Sequence, residues 1–308
     1  EYGADALRMY LLGSPAVKAG SFCFSKTGVY DEAKTLMPWF GALKFFNSHV
    51  SNYISKRETF NASRYSESDN VMDKWILSRL GTLSGYVKEN MDALKLYAIY
   101  PKLKQFIEDF TNWYIKFNRI RLKGIGVTTS EWEIALSVLF KTLEMFSRIT
   151  GPFMPFMADY MYSHLKKFIT GAKESVHLTN FPSASDFTID EEIERKMSSL
   201  QETVVLVRNL RNRNADFTSI KVPIKSVTIG NDDEEFLSDI RSMSEYFYDE
   251  VNCLHLNFVS LDGNVKYAVK TNNRSLGKRF RKDAKKVKEH IMKLDESVIK
   301  NIQEGKME

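Results

Sequence analysis

Helical periodicity opens the chain and persists for most of its length. In the opening EYGADALRMY (Glu1–Tyr10) and on to Leu11, the positions Ala4, Leu7, Met9 and Leu11 are set for burial. Apolar residues then recur every three or four positions through Asp31–Ile54, Asp69–Leu94, Tyr97–Leu122, Glu131–Thr150 and Pro155–Phe168, which predicts five successive helices. Local signals mark their ends. Pro101 and Pro155 suit first-turn positions, Asp69 suits a cap, and Gly124, Gly151 and Gly171 follow the periodic runs. Links this short favour antiparallel neighbours, so the expected architecture is mostly α, an antiparallel helical bundle. Long helices draw most of their stability from burying one stripe, and Trp39, Phe45, Phe46, Trp75, Phe106, Phe110, Phe117 and Phe146 are the expected core aromatics.

The texture changes after the fifth helix. Gly171–Asp190 loses the helical period, carries Pro182 and several Ser and Thr, and reads as a crossing loop. A helix from Glu191 to about Ala215 follows. Then come β-prone runs at Lys225–Ile229, Leu254–Val259 and Val265–Thr271, with an amphipathic helix at Asp232–Asp249 between the first two and a hairpin signal at Leu261-Asp262-Gly263-Asn264. A basic helix around Arg281–Lys293 and a short helix after Asp295 complete a small α+β C-terminal domain. The predicted division is 1–30, 31–182 for the bundle, and 183–308 for the helix plus the small domain. A chain that begins with Glu1 inside an element reads as a piece of a larger protein.

Composition narrows the class. At 308 residues, 43% hydrophobic and 27% charged, with no apolar run near membrane-spanning length, the chain is expected to be globular and soluble, without a membrane span or targeting peptide. Its two cysteines, Cys23 and Cys253, are too few for a metal centre or a disulfide framework, which suits a reducing compartment such as the cytosol. The net charge of +5 is unevenly spread. Between Lys270 and Lys293 ten Lys and Arg face two acids, Asp283 and Glu289. A basic block beside a near-neutral body is the electrostatic footprint of a polyanion-binding protein, although a solvated helix face has the same composition.

Three clusters could meet a polyanion. In TNWYIKFNRIRLKG (Thr111–Gly124), Asn112, Lys116, Arg119 and Lys123 fall at i, i+4, i+7 and i+11, one stripe of a single helix, with Trp113 and Arg121 flanking and Leu103, Phe106, Phe110, Tyr114 and Phe117 on the opposite side. Such a stripe can grip phosphates and stack on an unpaired base, or it can merely complement the helix dipole at a C-terminus. In VVLVRNLRNRN, Arg208, Arg211 and Arg213 present guanidinium forks suited to phosphate, unless they pair with acids at Asp190–Glu194 or Asp232–Glu235. The third cluster, LGKRFRKDAKK (Leu276–Lys286), carries Lys278, Arg279, Arg281 and Lys285, with Phe280 and Val287 expected to face a core.

Other signals are set aside. Lys196-Met197-Ser198-Ser199 looks like a nucleotide-binding signature loop but lies within a periodic helix, with Met197 and Leu200 at buried positions. Cys253 and His255 have no second pair to complete a metal shell. His164 and His177 have no nucleophile or carboxylate constellation, and no Gly-rich phosphate loop or serine elbow is present. No catalytic residue is assigned.

Ordered motifs carry a family resemblance. YGADALRMYLLGSP (Tyr2–Pro15) resembles the segment after the catalytic signature loop of class I aminoacyl-tRNA synthetases of the isoleucine, valine and leucine group. TNWYIKFNRIRLKG, GPFMPFMADYMYSHL (Gly151–Leu165), ESVHLTNFP (Glu174–Pro182), VRNLRNRN with KVPIKSVTI, and LGKRFRKDAKKV resemble, in the same order, the anticodon-binding region of isoleucyl-tRNA synthetases of the eukaryotic and archaeal kind. The resemblance implies that residues 1–30 are the tail of the catalytic-domain connection, meeting the tRNA stem, and that 31–182 is the anticodon-binding bundle. It implies a tRNA partner that accepts isoleucine, the catalytic and editing domains of the same chain as further partners, and other synthetases in a complex. ATP and magnesium would serve the parent enzyme, with no cofactor in this piece. Bacterial members carry a cysteine-bound zinc near their end, and a tail with Cys253 alone argues for no metal. The tRNA contacts implied are Lys116, Arg119, Arg121 and Lys123 on phosphates, Asn112, Trp113 and Asn118 at bases, and Arg208, Arg211, Arg213, Lys278, Arg279, Arg281 and Lys285 on the backbone. The rival readings are the same region of a valyl or leucyl enzyme, or a protein-interaction module.

Overall fold

The structure is a computed structural model that describes residues 1–56, 59–261, 271–294 and 298–299. The chain divides into two units, Glu1–Gln201 and Glu202–Glu308, each with its own core.

The first unit holds α1 (Ala4–Leu12), α2 (Lys26–Lys56), α3 (Val71–Asp92), α4 (Leu96–Glu108), α5 (Ile115–Phe117), α6 (Arg119–Leu122), α7 (Thr129–Thr150), α8 (Pro155–Leu165) and the first part of α9 (Glu191–Asn212). Its centre is α7, buried on almost every face from Trp132 to Thr150. A helix apolar all round belongs inside, and its polar residues must then satisfy themselves. They do so by returning each hydroxyl to the preceding turn: Ser137 to the Ile134 carbonyl (2.7 Å), Thr142 to Val138 (2.9 Å), Ser147 to Leu143 (2.7 Å) and Thr150 to Phe146 (2.8 Å). Around α7 the aromatic core forms as the pattern predicts. Trp39 and Phe106 both pack on Phe146, at centroid distances of 5.0 and 4.7 Å, while Phe45 and Phe117 lie only half-buried at its edge.

Several expected boundaries move for local reasons. Asn70, not Asp69, caps α3, because its Oδ1 accepts from the backbone N–H groups of Met72 (2.9 Å) and Asp73 (3.3 Å). Pro155 does open α8, but Pro101 sits a turn and a half inside α4. The loop after α8 folds back on α3. There Ser84 donates to the Pro182 carbonyl (2.5 Å), the Ser78 hydroxyl accepts from the Asp190 N–H (2.8 Å), and the Phe187 side chain lies against Gly81. That packing carries the first unit past residue 182, as far as Gln201. At the other end α1 is tied to α8 through the Asp5 carboxylate, which accepts from the Met157 N–H (2.6 Å).

The largest departure is the single helix expected over Tyr97–Leu122. It is three pieces: α4, then a wide π-type turn over Asp109–Tyr114, then α5 and α6 separated by Asn118. A turn holding one residue more than an α-turn delays the phase of everything after it by roughly 100°. The straight stripe expected from Asn112 through Lys116 and Arg119 to Lys123 is therefore broken, at the wide turn and again at Asn118.

In the second unit, β1 (Ile224–Gly230) and β2 (Cys253–Val259) pair in parallel, with Ile224 opposite Cys253 and Gly230 opposite Val259. Parallel neighbours need a crossover, and α10 (Glu234–Ser242) and α11 (Ser244–Val251) supply it where one helix was expected. Leu237, Ile240, Phe247 and Val251 bury the crossover's inner face. The basic segment forms α12 (Asn273–Phe280) and α13 (Ala284–Ile291). Phe280 is 42% exposed, contrary to its expected core position, and Val287 is half-buried. The expected hairpin turn and third strand fall largely on 262–270, and the short final helix after 295, outside the described residues.

Candidate nucleic-acid interface

The limb from α4 to α6 is fastened to the bundle by buried charge. Asp73, fully buried on α3, takes Arg121 in a bidentate grip, with Nη1 to Oδ1 at 2.9 Å and Nη2 to Oδ2 at 2.7 Å. The Tyr114 hydroxyl (3.0 Å) and the Ser68 hydroxyl (2.5 Å) donate to the same carboxylate. Arg121 also donates to Glu131 (2.5 Å) and to the Asn118 side-chain carbonyl (3.2 Å). Burial disfavours the guanidinium charge, but Asp73 more than offsets this and holds Arg121 above its ordinary value. Burial likewise pushes the Tyr114 hydroxyl well up. A second buried knot fixes the π-type turn: Asp109 accepts from Arg79 (3.2 Å) and Gln201 (3.0 Å), and Arg79 also pairs with Glu194 (3.0 Å).

These knots sort the residues expected to touch RNA. Arg121 is committed to Asp73 and Glu131. Asn118 is buried, its amide donating to the Tyr114 carbonyl (3.1 Å). Trp113 is buried too, its ring 5.8 Å from that of Phe117. In this structure all three are engaged within the bundle, Arg121 by carboxylates, Asn118 by a backbone carbonyl and Trp113 by an aromatic ring. Asn112 is exposed and lines a groove with Thr35, Pro38, Tyr100 and Lys104. Lys116 and Arg119 are exposed, and Lys123 is half-buried at the C-terminal end of α6.

Trp132 sets the end of α6. Its indole N–H donates to the Leu122 carbonyl (2.8 Å), and its ring lies against Gly124, whose φ of +72° turns the chain away. A Cβ at Gly124 would come within 2.5 Å of that ring. The same indole meets α2, edge-on to Tyr53 at 5.1 Å and with the Lys56 ammonium 5.4 Å above it. One turn back along α2 stands His49, which sequence reasoning passed over. Partial burial holds its imidazole below the ordinary value, and the Lys123 and Arg119 charges push the same way. The signal was present: Phe45, His49, Asn52 and Lys56 repeat the i, i+4, i+7, i+11 spacing.

In the second unit Arg211 is buried, donating to the carbonyls of Val251 (3.3 Å), Ser219 (2.7 Å) and Val222 (2.5 Å). Arg208 forms an ion pair with the buried Glu250, an acid outside both stretches considered from sequence. Both guanidinium groups thus have partners within the second unit. Arg213, Lys278, Arg279, Arg281 and Lys285 are exposed. The signature-like Lys196–Ser199 lies within α9 with Met197 and Leu200 fully buried, as the periodicity requires. No helix among the described residues is long and apolar enough to cross a membrane.

A family model described as the anticodon-binding domain of tRNA ligase matches residues 73–224, from the buried Asp73 to the start of β1. The whole chain aligns, at 36% identity, with the cytoplasmic isoleucine–tRNA ligase of Saccharomyces cerevisiae, of which it spans 30%. The Caenorhabditis elegans protein of that name is 36% identical over 100% of the chain and 27% of its own length, and the Mus musculus protein 34% identical over 99% and 25%. The chain belongs to the isoleucine–tRNA ligase family. It spans about 30% or less of the length of these curated relatives, and its helical bundle is the family's anticodon-binding domain. In this ligase domain, the buried Asp73–Arg121 grip and the Asp109 knot hold the limb, and the limb displays Lys116, Arg119 and Lys123. Cations on a fixed element position a phosphate backbone, while unpaired bases are read by stacking and edge hydrogen bonds.

Proposed function

We propose that this chain binds the tRNA that accepts isoleucine, as the anticodon-recognising part of a cytoplasmic isoleucine–tRNA ligase. The parent enzyme joins isoleucine to that tRNA at the expense of ATP. In this reading ATP and magnesium are held by the catalytic part of the enzyme, and this chain contributes recognition alone. The observation that carries the reading is the match of residues 73–224 to the anticodon-binding domain of tRNA ligase, within which Lys116 and Arg119 are exposed and Lys123 is half-buried. These three are assigned to phosphates and the exposed Asn112 to a base edge. Arg213, Lys278, Arg279, Arg281 and Lys285 are assigned to further backbone contacts.

The test is tRNA binding by the full 308-residue chain across a salt series. Each phosphate contact contributes about 0.7–0.9 to the slope of log K against log salt. The Arg119→Ala/Lys123→Ala variant is expected to flatten that slope by roughly 1.4–1.8. An unchanged slope and affinity would overturn the assignment.

A further inference from the structure

The C-terminal part of α2 and the end of α6 both touch one residue. Trp132 touches Tyr53 and Lys56 from α2, and it touches the Leu122 carbonyl and Gly124 at the end of α6. One turn back from Tyr53 lies His49, and one turn back from Lys123 lies Arg119. The imidazole rests against the Phe45 ring at 4.3 Å, which fixes one side of it and leaves it half-buried. The charges acting on it are Lys123 and Arg119, both positive. Ile120 and Ile125, 66% and 57% exposed, flank the cations and leave this face open. We propose that His49 and Lys56 of α2, with Arg119 and Lys123 of α6, form one groove for an RNA phosphodiester, and that the His49 imidazole takes up a proton when the phosphate enters it.

The physical sequence is short. In the empty groove partial burial, and then the Lys123 and Arg119 charges, disfavour the imidazolium, so the imidazole stays neutral near pH 7 and carries one N–H. A phosphodiester brings one negative charge among the cations. A phosphate oxygen in direct contact with the imidazole outweighs the more distant cations, a proton is taken from solvent, and the imidazolium donates a charge-assisted hydrogen bond to that oxygen. Binding to this groove is therefore linked to proton uptake and strengthens as pH falls. The inference rests on the tRNA-binding reading and adds to it the α2 wall of the site and a titrating member.

Titration calorimetry of the full 308-residue chain with an isoleucine tRNA transcript, in buffers of different ionisation enthalpy near pH 7, counts the protons taken up. The expected result is net uptake of up to one proton per tRNA, absent in His49→Gln. That variant is expected to lose about tenfold in affinity near pH 6 and less than about twofold near pH 8. Asn52, exposed on the same stripe, supplies a variant that keeps His49 in place and leaves the core untouched. Asn52→Asp puts a fixed anion in the groove and is expected to weaken binding by about tenfold. Equal proton uptake by the unaltered chain and His49→Gln, or undiminished affinity in Asn52→Asp, would overturn the groove while leaving tRNA binding in place. Failure of the unaltered chain to bind tRNA would overturn both readings.

Discussion

Asp73→Ala is the perturbation that probes the limb's anchorage most sharply. Asp73 is fully buried and accepts four hydrogen bonds, two from Arg121 and one each from Tyr114 and Ser68. Removing one member of a buried ion pair typically costs about 3–5 kcal/mol, because the partner's charge is left in a poorly solvated place. Arg121 retains Glu131, which moderates the loss, while the Tyr114 hydroxyl is left without this acceptor, which adds to it. The net expectation is about 3 kcal/mol, the lower end of that range. All four tryptophans, Trp39, Trp75, Trp113 and Trp132, lie in the first unit, so a urea titration followed by tryptophan emission reports the bundle alone. The paired variant Asp73→Leu/Arg121→Met removes both charges and is expected to recover most of the loss, since well-packed apolar replacements of buried pairs are often neutral. A loss under about 1 kcal/mol for Asp73→Ala would refute the view that this carboxylate holds the limb, because that is the range of an exposed pair.

Three further outcomes follow from the same structure. Gly124→Ala combines a positive φ with a Cβ driven into the Trp132 ring and should destabilise the bundle by about 1–3 kcal/mol in the same urea titration. Arg211→Leu removes one donor from each of three carbonyls and should loosen the second unit, read as faster modification of the buried Cys253 thiol at unchanged tryptophan emission; protection equal to the unaltered chain would contradict it. His49 binds its proton less readily folded than unfolded, so bundle stability should fall as pH drops through the ordinary imidazole range, and His49→Gln should flatten that segment of the pH profile.

Much of this was legible in the chain, and the exceptions share a cause. Periodicity located α2, α3, α7 and α8 to within a few residues, because each buries a stripe wide enough to dominate local preference. The break in the α4–α6 limb was not legible. The wide turn at Asp109–Tyr114 is specified by Arg79, Gln201 and Asp73, partners far away in sequence. For the same reason Arg121 and Arg211 read as surface cations, since nothing local announces a carboxylate 48 positions back or three carbonyls on a neighbouring helix end and turn. Spacing alone did place Lys116 and Arg119 at the surface and Lys123 at its edge. His49 was missed because a lone histidine on a long helix acquires meaning only from the cations that another element brings to it.

The central claim is that this domain recognises the isoleucine tRNA through its anticodon. Equilibrium binding of the full chain to two transcripts, identical except that one carries an isoleucine anticodon and the other an exchanged one, tests it most directly. The account predicts about tenfold or greater preference for the isoleucine anticodon, with both complexes equally sensitive to salt, because bases specify and phosphates position. Equal affinity for the two transcripts would contradict it.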